Sequence, residues 1–258
     1  MKTLKSGIKD SEVKTLCKYL GLTERTLFDS EVLQGVKEYQ KEKGLTADGI
    51  VGPLTWKSLY INNIQPGEEV KDEDYTFAAS LLGCEVKALK AVVKVETGGR
   101  GGFIADGLPQ ILFEGHIFWK ELKARGIDPN SIKGHSEILY PSWDKTKYKG
   151  GIKEWDRLRE AIEINEEAAL SSASWGLFQI MGNNYKATGK RSVKEFVEEN
   201  KKSEVNQFFL GISFIQSSTK ILNALRKKDW ATFARYYNGS GQVSVYSNRL
   251  KEAYKTIK

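Results

Sequence analysis

A mainly α fold in two parts, a small three-helix domain and a larger helical domain with a minor β-hairpin, is predicted by three observations. Apolar residues recur at helical rather than alternating spacing along most of the 258 residues. Cap-forming side chains and glycines punctuate those runs. Between residues 62 and 74 (NNIQPGEEVKDED) the apolar pattern lapses into turn formers and acids, which divides the chain into 1–64, a linker at 65–74, and 75–258.

In the first part, Val13, Leu16, Cys17 and Leu20 share one helical face, with Asp10 or Ser11 as cap and Gly21 as stop. Val32, Val36 and Tyr39 make a second face, capped by Asp29 or Ser30 and ended by Gly44. In the stretch 45–56 (LTADGIVGPLTW), Asp48, Gly49, Gly52 and Pro53 force a tight turn, and Thr55, Trp56 and Leu59 begin a third helix. Trp56 reads as core. Asp48, Gly49 and Gln40 read either as shapers of that turn or as ligand contacts: glycine lets backbone approach a ligand closely, and Asp and Gln offer hydrogen bonds.

Tyr39, Gln40, Gly44, Leu45, Asp48, Gly49, Gly52, Thr55 and Trp56 together resemble the phage and bacterial peptidoglycan-binding domain. The match covers nearly the whole first part. The resemblance implies a wall-binding module, with Gln40, Asp48, Gly49 and Gly52 against sugar or stem peptide.

The second part begins with Tyr75, Ala78, Ala79 and Leu82 at helical spacing, broken by Gly83. In the next helix Leu89, Val92, Val93 and Glu96 lie at i, i+3, i+4 and i+7, so a carboxylate continues an apolar stripe. Gly98 and Gly99 stop that helix and leave Glu96 in its last turn, where exposed carbonyls make the helix end negative. Both settings disfavour the ionised form. A carboxylic acid kept protonated near neutral pH is what a glycosidase needs to protonate a leaving oxygen. The alternative is a frayed helix end whose glutamate turns to solvent.

Phe103 to Phe113 reads as a small strand pair around Asp106 and Gly107. Glu114, His116, Phe118 and Trp119 lead into a helix toward Arg125, and residues 126–155, rich in Gly, Pro, Tyr, Trp and Lys, form an irregular insertion of the sort that shapes clefts. A helix over Arg157 to Leu170 precedes 171–182 (SSASWGLFQIMG), where Gln179 interrupts an apolar group. A buried amide must find partners, either a ligand or the backbone. Helices near Val193–Val197 and Val205–Leu225 follow, then one from Trp230 to Tyr237, stopped by Asn238 and Gly239. The last carries Val245, Tyr246, Leu250 and Tyr254.

The Glu96–Gly99 helix end, the segment 174–180 (SWGLFQI) and Tyr237, Asn238 and Gly239, in that order, resemble the lysozyme superfamily and, more narrowly, the phage endolysin N-acetylmuramidase domain. That domain often follows a peptidoglycan-binding domain. The resemblance implies a lysozyme-like fold over about 75–258, with Glu96 as general acid. It places Ser174, Gly176, Gln179 and Ile180 beside the sugar, and Tyr237 and Asn238 on the opposite wall. Phe178 stands where the family more often has Met. Some 80 residues separate Glu96 from Gln179, far more than in compact transglycosylases, so the insertion either folds away from the cleft or forms part of it. A second carboxylate is not fixed by the motifs. Glu114 is the first choice for a base or stabiliser, ahead of Glu167 and Asp106, each of which also reads as a salt-bridging or capping side chain.

Forty Lys and Arg against 33 Asp and Glu leave a net charge of +7, spread along the chain rather than blocked. That balance suits loose attraction to a polyanion; no recognition motif points to nucleic acid. Two histidines, His116 and His135, complete no zinc set, and no cofactor or metal is expected. Cys84 has no argued partner for a Cys-His hydrolase. The glycine run 98–102 (GGRGG) follows a helix and lacks the Lys-Ser/Thr ending of a phosphate loop. Cys17 and Cys84 read as buried free thiols of a chain made in a reducing cytoplasm. The first residues (MKTLKSGIKD) carry no apolar signal core, and no run is long enough to span a membrane. The expectation is a monomeric, metal-independent phage enzyme acting on bacterial peptidoglycan, held in the host cytoplasm until a separate holin-type protein opens the membrane. A lytic transglycosylase and a non-catalytic wall-binding protein are the alternatives.

Overall fold

Three helices form the N-terminal unit where the apolar spacing requires them: α1 (Glu12–Leu20), α2 (Ser30–Glu42) and α3 (Pro53–Asn62). Asp29 caps α2 by accepting from the Val32 amide at 3.0 Å, and Gly21 ends α1 in a left-handed conformation. Val13, Leu16, Cys17, Val36 and Leu59 are buried together with Trp56, whose indole donates to the Lys2 carbonyl at 2.9 Å. This is a computed structural model, and it describes residues 1–98 and 100–257.

The chain groups into two compact units, one comprising Met1–Gln65 and Thr76–Gly83, the other comprising Pro66–Tyr75 and the residues from Cys84 onward. The boundary therefore differs from a simple cut at residue 64. Helix α4 (Asp72–Leu82) already starts inside the expected linker, and its later residues group with the N-terminal unit. Packing explains this: the Phe77 ring stacks on Tyr60 with centroids 4.1 Å apart, and Ala78 and Leu82 are fully buried.

The larger unit is built around α5 (Val86–Thr97) and a series of later helices: α6 (Gly115–Ala124), α7 (Lys153–Ile164), α8 (Glu166–Ser171), α9 (Val193–Lys202), α10 (Glu204–Ser217), α11 (Thr219–Lys227), α12 (Trp230–Tyr237) and α13 (Val243–Thr256). Helix α10 is buried almost all round, with Phe208, Phe209, Ile212 and Ile215 inside, as a central core helix must be. Helix α13 packs against both α5 and α12.

Two helices expected as continuous runs are each split by a polar cap. Asn165, extended, accepts from the Ala168 amide at 2.9 Å and separates α7 from α8. Ser218 accepts from the Ile221 amide and separates α10 from α11. Side-chain oxygens at these points restart a helix in a new direction, which apolar periodicity alone does not register.

The expected hairpin is present as β1 (Phe103–Ala105) and β2 (Leu108–Pro109), turning at Asp106 and Gly107. A second, unanticipated sheet joins β3 (Ile111–Phe113), β4 (Ala173–Trp175) and β5 (Ile180–Met181) in the order β3-β4-β5, all antiparallel. Its register pairs Leu112 with Ser174 and Ser174 with Met181. The sheet thus binds the 171–182 segment to the strand that leads into Glu114.

Candidate active site

Helix α5 ends at Gly98, left-handed with φ 56°, so Glu96 does occupy its last turn; Gly99, the other expected stop, lies outside the described residues. The residue is half-buried as a whole, but its Oε1 atom is fully buried and has no hydrogen-bond partner among the described residues. Burial pushes the Glu96 carboxyl up to about 8. The alternative of a glutamate turned freely to solvent does not hold: burial is the one influence on this carboxyl among the described residues, and it favours the neutral acid.

Tyr237, the last residue of α12, lies in the same electrostatic neighbourhood. Its hydroxyl is buried without a partner, and burial together with the Glu96 charge raises the phenol well above its ordinary value. Its ring stacks on Phe233 at 5.1 Å and lies nearly parallel to Tyr246, 6.4 Å away. The Tyr246 hydroxyl is likewise buried and unpartnered. By sequence, Tyr246 has only a place on the last helix. The signal that marks it otherwise is an unmet hydrogen bond, which a sequence does not display. Asn238 is exposed just after Tyr237, and its amide closes α12 onto the Ala234 carbonyl at 2.9 Å.

Ser174 and Gln179 are brought together at the β4–β5 turn. The Ser174 hydroxyl donates to Gln179 Oε1 at 2.8 Å, and Gln179 Nε2 donates to the Gly176 and Gln110 carbonyls at 2.9 and 3.1 Å. Gln179 is half-buried, and within the protein its amide finds partners in Ser174 and the backbone. Gln179 adopts a left-handed φ of 47°, unusual for a residue with a side chain. Its three side-chain bonds hold that conformation, so this amide fixes the shape of the turn.

Glu114 stands at the junction of β3 and α6. Its Oε2 accepts from the Tyr148 hydroxyl at 2.6 Å and lies 3.3 Å from His116 Nδ1. Burial lowers the His116 pKa, which favours the neutral ring. The other two carboxylate choices are in plain solvent, Asp106 at the β1–β2 turn and Glu167 in the first turn of α8. Neither has the sheltered setting of Glu114.

The insertion that supplies Tyr148 is not loose. Glu154, fully buried, accepts from the Lys149 and Gly150 amides at 2.7 and 2.9 Å and from Arg157 at 2.7 Å. Burial alone would raise its pKa; those amides and Arg157 outweigh burial and hold it below the usual carboxylate range. Arg157 also donates to the Phe113 and Glu137 carbonyls at 2.8 and 3.1 Å. One buried pair therefore ties the insertion to the end of β3.

In the N-terminal unit, buried Gln40 reaches across the 45–55 loop. Its Nε2 donates to Asp48 Oδ1 and the Ile50 carbonyl, each at 3.0 Å, and its Oε1 accepts from the Gly49 amide at 2.8 Å. Asp48 also accepts from the Ile50 amide at 2.8 Å. Gly49 has a left-handed φ of 74°, which favours glycine, and a Cβ there would meet the end of the Leu33 side chain at 2.4 Å. Gln40, Asp48 and Gly52 line a cavity of about 230 Å³ whose rim carries two exposed apolar side chains, Ile50 and Leu54. An exposed apolar pair beside a polar floor is visible only once the loop is folded.

Among the described residues no group of three or more His, Cys, Asp or Glu could hold a metal ion, and no helix is long and apolar enough to cross a membrane.

Comparison with known proteins gives two family matches: the N-acetylmuramidase model over residues 85–258 and the putative peptidoglycan binding domain model over residues 13–59. Comparison with curated proteins returned no match. Among solved structures the chain is similar to the crystal structure of the Burkholderia AP3 phage endolysin, with 35% sequence identity, a TM-score of 0.67 and 98% of each chain covered.

Proposed function

The chain belongs to the N-acetylmuramidase family, as a glycoside hydrolase of phage endolysin type whose substrate is peptidoglycan, and from that premise we propose the following division of labour. Glu96 is the general acid. It delivers its proton to the oxygen joining N-acetylmuramic acid to N-acetylglucosamine as the anomeric carbon–oxygen bond breaks. The observation that carries this reading is the buried, unpartnered Oε1 of Glu96, whose carboxyl is pushed up to about 8 and so keeps its proton at neutral pH.

The sugar develops oxocarbenium character as its leaving group departs. Glu114, ordered by Tyr148, is the carboxylate that stabilises this charge or activates the attacking water. Tyr237 and Tyr246 offer hydroxyls without internal partners, which suits hydrogen bonding to sugar hydroxyls or N-acetyl groups. Ser174 and Gln179 act one step back, by holding the β4–β5 turn, and Asn238 offers an exposed amide beside Tyr237. Residues 1–64 serve as the wall-binding domain through Gln40, Asp48, Gly49 and Gly52, and the unit that holds the residues from Cys84 onward serves as the catalytic domain. The protein acts as a monomer. It waits in the host cytoplasm and depends on a separate holin-type protein for release.

Mass spectrometry of fragments released from purified peptidoglycan by the unmodified chain and by Glu96→Gln tests the assignment. Reducing N-acetylmuramic acid ends from the unmodified chain alone support it. Anhydro ends would reassign the reaction to a lytic transglycosylase, and cleavage by Glu96→Gln would show that another group is the acid.

A further inference from the structure

Trp143 is 62% exposed, the largest side chain so open to solvent among the described residues. A single exposed indole is common on protein surfaces and by itself means little. This one is held. Its Nε1 donates to the Tyr148 hydroxyl at 2.8 Å, and that hydroxyl lies 2.6 Å from Glu114 Oε2. The direction of the chain is fixed by inventory: an indole nitrogen only donates, an ionised carboxylate only accepts, and a phenol has one proton to give. Tyr148 therefore donates to Glu114 and leaves its oxygen for the indole, with burial and the Glu114 charge raising its pKa so that it stays protonated.

The segment between these residues is equally ordered. Asp144 accepts from the Thr146 amide at 2.9 Å, Lys147 and Lys149 pair with Glu137 at 2.7 and 2.8 Å, and Glu154 takes the Lys149 and Gly150 amides. The chain thus fixes a large aromatic face against water, at the end of a hydrogen-bond path that begins on a sheltered carboxylate. Ordering a side chain in advance removes an entropic cost from whatever later binds it. A pyranose ring has an apolar C–H face that meets the electron-rich face of an indole and a polar rim that remains solvated.

Resting on the muramidase reading with Glu114 in the cleft, we propose that Trp143 is a stacking platform for an N-acetylhexosamine ring of the glycan strand, coupled to Glu114 by Tyr148 as positioning residue. The platform binds; the tyrosine orients. The two roles predict different kinetic losses, because a contact made equally in ground and transition states moves KM, whereas misplacing a reacting group moves kcat.

The test uses the full chain and soluble glycan strands stripped of their peptides. In calorimetric titration of the Glu96→Gln chain, adding Trp143→Ala weakens binding about tenfold, and Trp143→Tyr restores most of it because a ring is retained. In the otherwise unmodified chain, Trp143→Ala raises KM about tenfold with kcat within about twofold, whereas Tyr148→Phe lowers kcat about tenfold with the smaller change in KM. Thermal unfolding of each variant confirms a folded protein. Unchanged affinity and KM in a folded Trp143→Ala chain overturn the platform, and an unchanged kcat in Tyr148→Phe overturns the coupling. Strand cleavage by Glu96→Gln would instead overturn the choice of acid, while the binding comparison still decides the role of Trp143.

Discussion

The 45–55 loop of the N-terminal unit and the end of helix α5 use the same chemical parts, an amide or carboxylate beside glycine among apolar side chains, and treat them oppositely. In the loop every polar atom of Gln40 is paired within the protein, and Asp48 accepts twice, which holds its carboxyl below the ordinary range chiefly through the Ile50 amide. At the helix end, Glu96 Oε1 and the hydroxyls of Tyr237 and Tyr246 are buried with no partner among the described residues. A satisfied network specifies a shape, whereas unsatisfied groups retain free energy that a substrate can release. The first arrangement suits a binding module, the second a reacting centre.

The contrast is broken most directly by Glu96→Gln, which removes the proton donor and keeps the shape. Turnover on peptidoglycan should fall by about 10²–10⁴-fold, read as release of soluble fragments. The same change should not harm the fold. Between its unfolded value of 4.5 and about 8, the native chain keeps a proton that the unfolded chain has lost. Stability therefore falls as pH rises through that window and stays reduced above it. Glu96→Gln removes this loss, so its melting temperature should match the unmodified chain near pH 4 and exceed it at pH 9 by about 2–4 °C per kcal/mol relieved. A lower melting temperature at pH 9 would mean that the Glu96 carboxylate has a stabilising partner.

Glu154 provides the opposite case, a buried carboxylate that is fully paired. Glu154→Ala leaves Arg157 buried and uncompensated and should cost roughly 3–5 kcal/mol in denaturant unfolding. Next in size is Gln40→Ala, which orphans the Gly49 amide and should cost about 1–3 kcal/mol while reducing cosedimentation with purified walls. The smallest stability effect belongs to Tyr237→Phe. Deleting a hydroxyl that has no partner should leave unfolding within about 1 kcal/mol of the parent while lowering turnover. If that variant is strongly destabilised, the hydroxyl was satisfied and the comparison fails at this point.

Much of this organisation is legible before folding. Glu96 announces itself because a carboxylate continues an apolar stripe and two glycines follow; the N-terminal loop does so because Asp48, Gly49, Gly52 and Trp56 fall at fixed offsets. Where sequence reasoning fell short, the missing information was three-dimensional. Gln179 is a polar residue in an apolar run, and only the fold shows that Ser174, Gly176 and Gln110 absorb its hydrogen bonds. Tyr246 is no more than a residue of the last helix in the sequence, because an unmet hydroxyl leaves no trace in periodicity. Asn165 and Ser218 restart helices through one side-chain bond each, a local event beneath the resolution of an apolar pattern. The three-stranded sheet pairs residues some 60 positions apart, and its strands are two or three residues long, too short to show alternation.

The central claim, that burial without a partner keeps Glu96 protonated so that it can act as the acid, is tested most directly by the pH dependence of kcat/KM on soluble glycan strands. The limb that reports loss of the proton from the free enzyme should fall at about 8, where burial places the Glu96 carboxyl. An alkaline limb between about 4 and 5, at the ordinary glutamate value, would show that Glu96 is not held neutral and would contradict the account.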